Sequence, residues 1–73
     1  MTINFEVFKR ILLEDIDFED STSYSELLNQ LTSLDSTLSA NTISNIFNYC
    51  YMRKRSPLPI DEKFLFALYE NFI

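Results

Sequence analysis

Apolar residues recur along this chain at three- and four-residue spacing, with polar residues filling the gaps. The first such stripe is Phe5, Phe8, Leu12 and Ile16, widened by Val7 and Ile11. That spacing puts side chains on one face of a helix and predicts one from about Asn4 to Asp15. Asn4 or Thr2 caps it in this reading, and Glu6, Lys9, Arg10 and Glu14 form its outer side. Tyr24, Leu27, Leu28, Leu31 and Leu34 predict a second helix from about Tyr24 to Leu34. Ser23 and Glu26 have the spacing of a capping box, in which hydroxyl and carboxylate satisfy each other's backbone N–H. A third stripe, Ala40, Ile43, Ile46, Phe47 and Cys50, predicts a helix from about Ala40 to Arg53 with Ser39 as N-cap. The basic Arg53, Lys54 and Arg55 close it, where cations suit the helix dipole. Ser56-Pro57-Leu58-Pro59 ends it, because the residue before a proline is driven out of the α region. Ile60, Phe64, Leu65, Leu68 and Phe72 predict a last helix from about Ile60 to Asn71, opened by Pro59 or Asp61. Phe66, Tyr69 and Ile73 fall outside that stripe. A helix apolar on nearly every side is central in its fold or covered by a partner.

These patterns predict a single all-α domain over residues 1–73, a compact bundle of four short helices. Composition supports this. The chain has no glycine, which the tightest hairpin turns and phosphate-cradling loops require. A chain this short buries only about 60% of its unfolded surface. Its core must be dense, and a content of 47% hydrophobic and 15% aromatic residues meets that need.

Charge divides the chain unevenly. Residues 1–35 hold eight acids and two bases, residues 36–60 three bases and no acid, and residues 61–73 three acids and one base. Five of the acids crowd into Glu14-Asp15-Ile16-Asp17-Phe18-Glu19-Asp20, where Ile16 and Phe18 are expected to staple a solvated loop onto the core. Such a surface attracts basic partners and repels phosphate backbones and membranes.

Histidine is absent, cysteine occurs once, and no nucleophile motif is present. The expectation is a non-enzymatic protein with no cofactor and no metal. Asp15, Asp17, Glu19 and Asp20 alternate like calcium ligands, but the glycine and closing glutamate of that loop are missing. Cys50, on an inner helix face, reads as a small hydrophobe. A single thiol forms no internal disulfide and suggests a reducing, cytoplasmic setting. No apolar run approaches the roughly 20 residues of a membrane span, and no basic-then-apolar leader opens the chain.

The stretch Leu38-Ser39-Ala40-Asn41-Thr42-Ile43-Ser44-Asn45-Ile46 resembles the recognition helix of Cro/repressor-type helix-turn-helix domains. There a serine caps the helix, a Thr-Ile-Ser step follows and the isoleucine packs inside. Lys54-Arg55-Ser56-Pro57 with a following helix resembles the family's next loop and helix. The resemblance implies a helix-turn-helix-like core. Ser39, Ala40, Asn41, Thr42 and Asn45 would then face the major groove, and Arg53, Lys54 and Arg55 the phosphates. By size and composition alone, the chain is also similar to small inhibitors made by phages and mobile elements, anti-CRISPR proteins among them.

The leading expectation is a regulator or inhibitor that binds a basic, nucleic-acid-handling protein. Its contacts are expected from Asp15, Asp17, Glu19 and Asp20 and from the aromatic residues Tyr49, Tyr51, Phe66 and Tyr69, taken as exposed. A helix-turn-helix DNA-binding regulator is the alternative. A homodimer subunit paired through the C-terminal helix is a further one.

Overall fold

The computed structural model describes residues 3–73, so the alternative cap Thr2 lies outside the described residues. Four helices follow in order. The first comprises α1 (Phe5–Arg10) and its continuation Ile11–Asp15; α2 is Ser23–Leu34, α3 Ala40–Lys54 and α4 Glu62–Phe72. Among the described residues there is no strand. The radius of gyration, 11.2 Å, is that of a folded chain of this length.

Capping chemistry sets most of the boundaries. Asn4 accepts the Val7 N–H at 2.9 Å, Ser39 the Thr42 N–H at 3.1 Å, and Asp61 the Phe64 N–H at 2.9 Å. Each occupies one of the amide groups that a helix start leaves without an internal partner. The second helix differs from expectation. It begins at Ser23 rather than after it, with Thr22 as an N-cap that makes no side-chain capping bond. The Ser23 hydroxyl donates instead to the Asp17 carbonyl, so the capping box with Glu26 does not form. Tertiary closure of the acidic loop has taken the cap away from the helix.

The first helix changes character midway. From Ile11 to Asp15 it widens into a π-turn, closed by the Ile16 N–H donating to the Ile11 carbonyl at 3.1 Å. Ile16 has then left the helix in an extended conformation, yet it remains buried. Inserting a wide turn shifts which side chains face inward downstream. Ile11 and Leu12 are buried, whereas Leu13 is 48% exposed.

α1 packs on α4, α2 on α3, and α3 touches α4. Phe8, Leu27, Leu31, Ile43, Ile46, Cys50 and Leu65 are completely covered, and one cluster joins all four helices with Ile16 and Phe18 of the loop. Two aromatic groups thicken it. Phe5 meets Phe66 and Tyr69 edge-on at 5.1 and 5.4 Å, with Phe8 5.5 Å from Tyr69. Phe47 meets Phe18, Tyr24 and Tyr51 at 5.4, 5.7 and 5.8 Å. Such pairs contribute about 0.5–1.5 kcal/mol each beyond burial.

Several side chains depart from their expected places, among them Lys9, read as outer and found half-buried against Glu62. Leu34 and Ala40, read as core, are exposed, because they are the last residue of α2 and the first of α3, where no neighbour covers them. Tyr51 and Tyr69, read as exposed contact residues, are half-buried. Tyr51 stacks on Phe47, and the Tyr69 hydroxyl donates to the Ile3 carbonyl at 2.6 Å, anchoring the start of the chain to α4.

Arg55 ties the loop to the bundle. Its Nη1 donates to the carbonyls of Phe18 at 2.8 Å and Tyr51 at 3.0 Å, and its Nη2 to that of Glu19. The guanidinium lies over the Tyr51 ring, 3.5 Å from its centroid. Only a planar fork meets several carbonyls while stacking on a ring. Arg55→Lys is therefore expected to lower unfolding free energy by about 1–2 kcal/mol, read from urea melts, and to speed protease cleavage within residues 17–22. An unchanged melt and cleavage rate would show that charge alone suffices.

Candidate interaction surface

From Glu14 to Asp20 the chain leaves the helix, extended at Ile16 and turning from Phe18 onward. Ile16 and Phe18, 6% and 2% exposed, turn inward, while Asp15, Asp17, Glu19 and Asp20 turn out with Glu14 beside them. The loop is held by its own acids. Asp17 accepts the Glu19 N–H at 3.0 Å, and Asp20 accepts the Thr22 N–H at 2.9 Å together with the Thr22 hydroxyl. Those bonds lower the Asp20 pKa below its ordinary value, the Thr22 hydroxyl contributing most. Among the described residues only Glu19 of this segment forms an ion pair, with Lys54 at 3.4 Å. Four carboxylates thus face solvent with no cation within pairing distance among those residues.

Next to this rim lies an open cleft of about 320 Å³. Leu12, Leu13 and Ile16 form one wall, Leu58, Pro59 and Ile60 the other, with Lys54 at its edge. Leu13 and Leu58 are 48% and 56% exposed. Neither was expected at a site. Leu13 carried a signal, an apolar residue off the helical stripe. Leu58 carried a weaker one, a leucine between two prolines that no regular element can absorb.

The remaining expected residues are dispersed. Tyr49 projects from α3 against Phe72, ring centroids 6.0 Å apart, and Phe66 from α4 against Phe5; neither lines this cleft. The basic cluster is largely engaged inside the molecule. Arg53 Nε donates to the Pro59 carbonyl at 2.8 Å and its guanidinium covers the Phe64 ring at 4.5 Å. Arg55 clamps the loop and Lys54 pairs with Glu19. Of the residues implied for a major-groove face, Ala40 and Asn41 are exposed, Thr42 and Asn45 are half-buried, and the Ser39 hydroxyl is occupied as a helix cap.

Other titratable groups have structural surroundings. Burial pushes the Cys50 thiol up to about 12, so it stays protonated and unreactive at neutral pH. Lys9 is raised by its 2.8 Å hydrogen bond to Glu62, with Glu6 adding to the effect. Among the described residues, no group of three or more His, Cys, Asp and Glu could hold a metal ion, and no helix is long and apolar enough to cross a membrane. Comparison with protein-family models, curated proteins and solved structures finds no match for this chain.

Asp35, 6% exposed in the turn between α2 and α3, accepts both the hydroxyl and the N–H of Thr37, and these bonds hold its carboxyl below the usual 3.8. The unfolded chain therefore takes up this proton at higher pH than the folded one. The contribution is complete above pH 3.8 and is lost as pH falls through the lower folded value. Asp35→Asn is expected to flatten the acid limb of a melting-temperature profile below about pH 4. An acid limb as steep as the parent's would remove Asp35 from the account.

Proposed function

We propose that this chain is a small non-enzymatic regulator or inhibitor that acts by binding a basic protein of the nucleic-acid-handling class. The observation that carries the reading is the juxtaposition of an unpaired acidic rim with an open cleft walled by leucine, isoleucine and proline side chains, with Lys54 at its edge. Glu14, Asp15, Asp17 and Asp20 attract a cationic surface and raise its encounter rate. The cleft between Leu13 and Leu58 then takes one apolar side chain, giving the apolar anchor inside a polar rim on which protein interfaces typically rest. A groove built to bind phosphates offers cations of the kind the rim attracts. The compositional similarity to phage and mobile-element inhibitors agrees with this reading and adds no residue to it.

Asp17 and Glu19 are poor probes, since one closes the loop and the other pairs with Lys54. Glu14 and Asp15 are exposed at the C-terminal end of the first helix, where lysine suits the dipole. The test is anisotropy of a labelled arginine-rich peptide containing one leucine, beside the same peptide with serine. Binding is expected to favour the leucine peptide and to weaken as salt rises. Glu14→Lys with Asp15→Lys should weaken it by roughly tenfold or more with the fold retained. If neither peptide binds at low salt, the proposal is wrong.

A second reading is DNA recognition through α3, in keeping with the helix-turn-helix resemblance. One observation favours it: α3 carries no acidic residue and exposes Asn41 beside its capped start. Salt-sensitive binding of a labelled random duplex, abolished by Asn41→Ala with Asn45→Ala, would move the assignment there.

A further inference from the structure

Tyr49 stands between two adjoining clefts on α3 and α4. One, about 240 Å³, is lined with it by Asn45, Asn48 and Met52. The other, about 520 Å³, runs from Tyr49 to Phe64, Asn71 and Phe72. Met52 is 71% exposed and Tyr49 56%. No residue lining either cleft is charged. From Ala40 to Met52, α3 carries no Asp, Glu, Lys or Arg, in a chain whose formal net charge is −5.

We infer that this face is a self-association surface and that its occupant is a second copy of this chain. A two-fold interface sets a patch against itself, so the patch must complement its own copy. The acidic rim cannot do this, because carboxylates meeting carboxylates repel. The α3–α4 face can. Each asparagine amide both donates and accepts, as does the Tyr49 hydroxyl, so each can pair with its counterpart. Met52 adapts its unbranched chain to an apolar neighbour, and Phe64 and Phe72 supply cleft walls for it. The one cation placed against it, Arg53, is engaged with the Phe64 ring and the Pro59 carbonyl, so a partner of opposite charge finds little here to complement. The conclusion is independent of what the acidic rim binds.

A dimer of ordinary stability covers about 800 Å² per partner, against a total accessible surface of 4580 Å² for this chain. The test is sedimentation velocity across a concentration series at two salt levels. A concentration-dependent dimer is expected, and it should strengthen with salt. The net charges of two copies repel and are screened, while no ion pair at the face is lost. Met52→Glu, at the most exposed position, should weaken dimerisation at least tenfold and leave helicity unchanged. Tyr49→Glu should do the same. Glu14→Lys with Asp15→Lys should leave the dimer intact. A parent chain that stays monomeric up to about 1 mM would overturn the inference. So would a dimer that Met52→Glu leaves unchanged, since its interface would then lie elsewhere.

Discussion

One guanidinium holds the least regular part of this molecule in place. A chain of 73 residues has little helix to spare for covering its core, and Ile16 and Phe18 of the loop must complete it. They can turn inward only if the intervening backbone, which makes no helix bonds, finds other partners. Arg55 supplies them through the carbonyls of Phe18 and Glu19, while its plane rests on Tyr51. Tyr51 in turn stacks on Phe47, and Phe47 packs on Phe18 and Tyr24. The end of α3, the loop and the start of α2 are thereby one packed unit.

This arrangement has an electrostatic consequence. With Ile16 and Phe18 held inward, the acids between and beside them are left exposed, and they form a rim instead of dispersing. The basic cluster that could have neutralised them is committed elsewhere: Arg55 faces carbonyl oxygens, Arg53 faces Pro59 and Phe64, and only Lys54 meets a carboxylate of the loop. The rim stays strongly negative. The α3–α4 face, lined by amides, aromatics and a methionine, stays neutral. A protein with two such unlike surfaces can meet two unlike partners without competition between them. A two-fold dimer through the neutral face would carry two acidic rims, and a multivalent basic partner would gain from both.

Helix number, spans and most caps were legible in the sequence because they depend on local geometry. Spacing of Phe5 and Phe8, of Leu27 and Leu31, or of Ile43, Ile46 and Cys50 follows the 3.6-residue turn whatever the fold, and Asn4, Ser39 and Asp61 cap their own first turns. The acidic character of residues 14–20 was legible too, as was the inward turn of Ile16 and Phe18. What was not legible depends on partners distant in the chain. The cap at Ser23 gave way to a bond with Asp17, Tyr69 was drawn in by Ile3, and Tyr51 was covered by Arg55.

The candidate site divides the same way. Sequence by itself determined that this is an all-α bundle with a concentrated acidic segment, since periodicity and local charge are properties of neighbouring residues. Only the tertiary structure decided that Leu13 and Ile16, chain neighbours of Glu14, Asp15 and Asp17, line a cleft. Leu13 and Leu58 stand far apart in the chain, and they line one opening, Leu13 from the wide turn of the first helix and Leu58 from the proline-bounded loop. Only the tertiary structure decided what the basic cluster does as well. A cation's role is set by the oxygens and rings it reaches, and those lie on segments that no local pattern connects to it.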